Sequence, residues 1–134
     1  EVEVGQEIPP VDYPVRRVNL IQYAGASGDF NPIHWNERFA KQVGLPDVIA
    51  HGMYTMAQGG RFITDWVGDP GAVLDYGVRF SSMVVVPDTD EGTTITVSGV
   101  VESKLEDNKV VIAITARSGG NRVLSKARAI VRLA

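Results

Sequence analysis

Cysteine is absent from the 134-residue chain. Disulfide scaffolds, thiol nucleophiles and cysteine-ligated metals are thereby excluded. Histidine is scarce: there are two, His34 and His51, with neither HxxxH nor HxH spacing. Asp29, His34 and His51 can be grouped as a ligand trio. A catalytic zinc site ordinarily draws on more histidine, so no metal is expected. Basic charge is not in excess. Lys and Arg number 13 against 16 Asp and Glu, a net charge of −3. That argues against nucleic acid as the main partner, because phosphate binding needs a basic footprint. No apolar run is long enough to span a bilayer. No signal peptide is visible, so a cytoplasmic protein without a membrane span is expected. A Ser–His–Asp hydrolase would carry a GxSxG elbow, and Ser27 has none around it. Gly25 and Gly28 lack the strand–helix setting of a phosphate loop.

What is present fits one domain over residues 1–134. The apolar fraction is 44% and the charged fraction 22%, ordinary for a globular chain with a proper core. Residues 1–16, punctuated by Pro9, Pro10 and Pro14, read as irregular or weakly extended. Helical spacing of Val18, Ile21 and Tyr23-Ala24 predicts a short helix over 17–24, ended by Gly25, Ser27 and Gly28. Asn36 is a plausible N-cap for a second helix at 37–43. Met53 to Trp66 is apolar around much of its circumference and predicts a buried helix. The Gly59-Gly60 pair within it suggests close approach of a neighbouring backbone. The second half reads as strands: Val73–Pro87, Thr93–Val101, Lys109–Arg117 and Arg122–Leu133. Glu106-Asp107-Asn108 and Gly119-Gly120-Asn121 are expected as hairpin turns. The class is therefore α+β, an antiparallel sheet wrapped around a central buried helix.

Most of the chemistry lies in residues 23–56. Asp29 and His34 are five positions apart, with Asn31-Pro32 between them. Pro32 fixes its own φ and restricts Asn31. A loop stiffened in this way can aim a carboxylate and an imidazole into one site as an acid/base pair. The same residues also make an ordinary polar turn. His51-Gly52 stands at the head of the central helix, where unpaired amides and the helix dipole favour an oxygen gaining negative charge. Gly52 leaves room for such an atom to approach, while His51 reads as a partly buried, hydrogen-bonded neighbour. Arg61 and Arg79 read as surface salt-bridge formers.

Gly28-Asp29, Asn31-Pro32-Ile33-His34 and, further on, Ala50-His51-Gly52-Met53 together resemble the paired signature of the MaoC-like dehydratases, also called R-specific hydratase 2 enzymes. The resemblance extends over almost the whole chain. The segments Trp66–Val73 and Val78–Phe80 resemble the B-type subunits of (3R)-hydroxyacyl-carrier-protein dehydratases. The resemblance implies a single hot-dog fold. It implies a (3R)-3-hydroxyacyl-thioester dehydratase or R-specific trans-2-enoyl-thioester hydratase, acting on thioesters of acyl carrier protein (acyl-ACP) in type II fatty acid synthesis. An enoyl-CoA hydratase serving β-oxidation or polyhydroxyalkanoate supply, and a non-catalytic acyl-binding subunit of a heterodimer, are the alternatives. By this resemblance Asp29 and His34 form the catalytic pair. Gly52 is the backbone donor to the thioester oxygen, and Asn31 orients the loop, with His51 beside the substrate. A hydroxyl further along the helix assists in some relatives; Ala57 lies in that stretch, with Tyr54 and Thr55 nearby. No cofactor is expected, since the reaction is redox-neutral. Expected partners are an acyl-CoA or acyl-ACP substrate and a second hot-dog subunit, in a homodimer or a heterodimer.

Overall fold

The structure, a computed structural model, describes residues 2–134. Its elements in chain order are β1 (Glu7–Val15), α1 (Arg17–Ser27), a 3-10 turn (Pro32–His34), α2 (Glu37–Gln42) and α3 (Gly52–Val67). A second 3-10 turn (Pro70–Ala72) then leads into β2 (Val73–Phe80), β3 (Thr93–Lys104), β4 (Lys109–Ser118) and β5 (Asn121–Arg132). The strands form one antiparallel sheet in the order β1-β3-β4-β5-β2.

Two hairpins follow directly from turn chemistry. Asp107 and Asn108 both take positive φ (63° and 58°), as do Gly119 and Gly120 (58° and 81°). Positive φ at both central residues matches the twist of the flanking strands. β4 shows the cleanest alternation: Val110, Ile112, Ile114 and Ala116 are buried, and the residues between them are less so.

The nine-residue strand β1 decides between the irregular and the weakly extended readings of the N-terminal segment in favour of extended backbone. β1 pairs with β3 in spite of three prolines. It lies at an edge of the sheet, where half of its N–H groups have no ladder partner to lose. Its register shifts between Ile8 and Val11, where Pro9-Pro10 sits. The expected strand Val73–Pro87 is also shorter than the pattern suggested. β2 stops at Phe80 and occupies the opposite edge, beside β5, not beside β3. The chain after it crosses to the segment ahead of α3. There the Ala50 N–H donates to the Val84 carbonyl (2.9 Å) and the Val86 N–H to the Val48 carbonyl (2.9 Å).

α1 runs past Gly25 to Gly28, whose φ of 78° ends it and whose N–H donates to the Ala24 carbonyl. α2 is capped by Asn36, as its sequence suggests, through a bond from the Phe39 N–H (3.1 Å). α3 lies in the curl of the sheet, the hot-dog arrangement, but it is not apolar and buried all round. Thr55, Gln58, Gly59, Phe62 and Ile63 are its buried face, while Met53 is 57% exposed. Gly99 of β3 lets this helix sit close, since a Cβ there would lie 3.2 Å from the Phe62 ring. The Gly59-Gly60 pair admits a side chain and not a backbone: Tyr76 of β2 places its hydroxyl where a Gly59 Cβ would be.

Candidate functional site

The loop after α1 is organised by its own short side chains. The Asp29 N–H donates to Ser27 Oγ (3.1 Å), and the Asn31 N–H donates to Asp29 Oδ1 (3.1 Å). Asn31 Oδ1 in turn accepts from the Ile33 N–H (3.3 Å), capping the 3-10 turn that Pro32 opens. These bonds fix Asp29 by one carboxylate oxygen and leave the other free. Asn31 thus shapes the loop from within it.

His34 is carried inward by the 3-10 turn and is buried. Its Nδ1 lies 2.7 Å from the Ile49 carbonyl. A carbonyl only accepts, so Nδ1 bears the proton and the lone pair of the neutral ring is on Nε2. Nε2 faces Asp29 Oδ2 at 4.0 Å. That gap is too long for a hydrogen bond and suits one oxygen atom bonded to both groups. Asp29 is half-exposed, its side chain 52% accessible, so an oxygen between the two is reachable from solvent.

His51, the N-cap residue of α3, is 2% exposed. Its ring stacks on that of His34, with centroids 3.8 Å apart and planes inclined by 20°. Its Nε2 donates to the Asp29 main-chain carbonyl (3.1 Å). Tyr23 meets the His51 ring edge-on at 4.8 Å and also meets Tyr54. Burial, and secondarily the neighbouring His34, push the His51 pKa below its ordinary 6.5. The unfolded chain therefore takes up this proton before the folded one does. The stability contributed by neutral His51 is full above about pH 6.5 and is lost as pH falls through the depressed folded value. Urea midpoints measured between pH 7 and 5 are expected to fall for the wild type and to fall less for His51→Gln.

Beside the pair lies a cavity of about 500 Å³. His34, Gly52, Thr55, Ser81 and Ser82 are among its polar lining residues, and Ile33, Ile49, Met83, Val84 and Val123 supply apolar walls. Gly52 is the first residue of α3, so its N–H has no carbonyl one turn back to pair with. A Cβ at Gly52 would stand 3.3 Å from the Phe80 ring, which also lines the cavity. Thr55 is a residue that sequence reasoning left undecided. It is buried and lies one turn below Gly52 on the cavity side, whereas Ala57 is exposed and Tyr54 packs on Tyr23. Its spacing of three from Gly52 was the available signal. His51 does not line the cavity.

Asp29, His34 and His51 offer donor atoms within 4.8 Å of one another. As ligands for a metal they fit poorly. His34 Nδ1 and His51 Nε2 are committed to main-chain carbonyls, and His51 Nδ1 is buried without a partner. The accessible donors are the Asp29 carboxylate and His34 Nε2; the remaining lone pair, on His51 Nδ1, is shut off from solvent, and two accessible ligands are too few for a typical three-ligand site. Arg61 and Arg79 make no ion pair among the described residues. Arg61 instead lies over the Tyr13 ring, 4.7 Å from its centre. Among the described residues, no helix is long and apolar enough to cross a membrane.

The chain is similar to fatty acid synthase subunit beta of Schizosaccharomyces pombe, 37% identical over 100 residues, covering 72% of this chain and 4% of that one. It is 45% identical over 73 residues to 3-hydroxyacyl-thioester dehydratase X of Mycobacterium tuberculosis, covering 51% of this chain and 23% of that protein. It therefore spans only a small part of each of these two relatives. Its fold is similar to that of the R-hydratase PhaJ1 from Pseudomonas aeruginosa, with a TM-score of 0.85 and 28% identity over 99% of this chain and 83% of that one. The model of the MaoC like domain matches residues 1–118, and with this the chain belongs to the MaoC-like dehydratase family.

Proposed function

We propose that the chain catalyses reversible addition of water to trans-2-enoyl thioesters, giving (3R)-3-hydroxyacyl thioesters. The observation that carries this reading is the 4.0 Å gap between His34 Nε2 and Asp29 Oδ2, beside a cavity lined by both His34 and Gly52. An oxygen in that gap is the incoming water or the departing 3-hydroxyl. The thioester carbonyl oxygen, placed at the Gly52 N–H, takes up the charge of an enolate at the positive end of α3. In hydration the water O–H bond breaks, its oxygen bonds C3, and C2 gains a proton through the Asp29–His34 pair. Dehydration is the reverse. No electrons leave the substrate, so no redox cofactor enters the scheme. The R configuration and the thioester substrate class rest on the family's R-hydratases and on its 3-hydroxyacyl-thioester dehydratase.

The finer reading is a dehydratase acting on acyl-ACP in fatty acid synthesis, in line with the synthase subunit that the chain resembles. Assembly is proposed through β2. Of the two edge strands, β1 carries three prolines and β2 none, so β2 keeps every backbone N–H as a donor for a second hot-dog subunit, identical or not. Loss of enoyl absorbance on crotonyl-CoA, with chiral analysis of the product, tests the reaction. Turnover giving the 3R alcohol is the expected result, with higher kcat/KM on the matching acyl-ACP. A folded protein inactive on both carriers, alone and with a second hot-dog subunit, would refute the reading.

A further inference from the structure

We propose that His51 is a positioning residue that holds both members of the Asp29–His34 pair without touching substrate. The inference rests on the hydration reading above and extends it to a residue outside the cavity.

The backbone of His51 is anchored at the head of α3. Its carbonyl accepts the Thr55 N–H (3.2 Å), and the preceding residue is tied to Val84. From this anchor the ring spans 22 residues of sequence to the Asp29 carbonyl. Asp29 is otherwise held by bonds within its own short loop, to Ser27 and Asn31. The His51 bond thus ties the carboxylate loop to the head of α3. Its stacked face fixes the plane of the His34 ring, whose edge is held by Ile49. Asp29 is positioned through its main chain, and His34 through its face.

The bond also sets the His51 tautomer. Its proton sits on Nε2, because the Asp29 carbonyl accepts only, and buried Nδ1 faces no donor. At 2% exposure and absent from the cavity wall, the ring meets neither solvent nor substrate. Removing it acts on the geometry of its neighbours, and misplacement of a reacting group by about 1 Å can cost about 10²-fold in rate.

The test compares His51→Gln, which keeps an N–H donor at a similar reach, with His51→Leu, which keeps bulk and loses the donor. Asp29→Asn is run beside them on crotonyl-CoA. The Leu variant is expected to lower kcat about 10–100-fold, up to the cost of about 1 Å of misplacement. Its KM should stay within about threefold, because no substrate contact is lost. The Gln variant should recover a large part of that loss. Imidazole nitrogen NMR of the wild type should show the His51 proton on Nε2. Equal losses in both variants, a change in KM alone, a Leu variant with wild-type kcat, or a proton on Nδ1 would each overturn the proposal. If the Leu variant fails to fold, the Gln kinetics and the wild-type tautomer still decide. Full activity in Asp29→Asn would instead remove the hydration reading itself, so the two failures are separable.

Discussion

Asp29→Asn and His34→Ala are each expected to lower kcat by about 10²–10⁴-fold, the usual worth of one positioned acid or base. The Asp29 change is the cleaner one. Its side chain is half-exposed, so little packing is lost. The Asn31 N–H that now bonds Oδ1 can bond the amide oxygen equally well. The amide NH₂ then faces His34 Nε2, where a donor meets the lone pair that should take a proton. His34→Ala also removes the stack on His51 and leaves the Ile49 carbonyl without its donor. Its urea midpoint has to be measured beside its kinetics. Because both residues act on one oxygen, the double variant should be little worse than the poorer single one. Steady-state rates on crotonyl-CoA decide the matter. A single variant with near-normal turnover removes that residue from the mechanism.

The second large effect concerns stability. Glycine to alanine inside a helix ordinarily stabilises by about 1 kcal/mol. At Gly59 the sign should reverse, with a loss of about 3 kcal/mol, because the Tyr76 hydroxyl occupies the place of the new Cβ. That hydroxyl donates to the Met56 carbonyl at 2.6 Å, and burial pushes its pKa up to about 12. A methyl group must displace it and leave a buried polar group unpaired. Gly60 is the control. A Cβ there meets only Tyr76 ring carbons, the nearest at 3.4 Å, so Gly60→Ala should be neutral or mildly stabilising. Tyr76→Phe removes the obstructing oxygen, and the Gly59→Ala/Tyr76→Phe pair should lose less than the sum of its singles. Urea midpoints at constant slope measure all four variants. An unchanged midpoint for Gly59→Ala would show that Tyr76 moves aside without cost.

Much of the framework was legible because its signals are local. The glycine pair 119–120 and Asp107-Asn108 specify tight turns wherever they stand, and Asn36 caps α2 with its own side chain. Asn31-Pro32 builds the loop of Asp29 and His34 from bonds that never leave it. Other features were not legible, because their causes lie elsewhere in the fold. β1 reads from sequence as no more than irregular or weakly extended, since prolines argue against a strand unless it stands at an edge, and edge position is a property of the whole sheet. The apolar run Met83–Val86 after Phe80 reads like a strand but, among the described residues, forms one isolated bridge, Ile49 with Val85. α3 appeared apolar on all sides because composition does not reveal which face the sheet covers; Met53 is exposed and Thr55 buried.

By itself, the sequence determined that this is one α+β chain with two tight hairpins, a central helix and a loop presenting a carboxylate and an imidazole. Short-range sterics and hydrogen bonds are sufficient for each of these. Tertiary structure alone decided that β2 crosses to the far edge, that Tyr76 fills the notch at Gly59, and that His51 reaches over 22 residues to Asp29. Each depends on long-range closure, in which the partner is chosen by where the sheet curls and not by any neighbour in the chain. The 4.0 Å spacing of Asp29 and His34 belongs to both levels. The loop brings the two side chains near each other, and the bonds from His34 to Ile49 and from His51 to Asp29 set the distance.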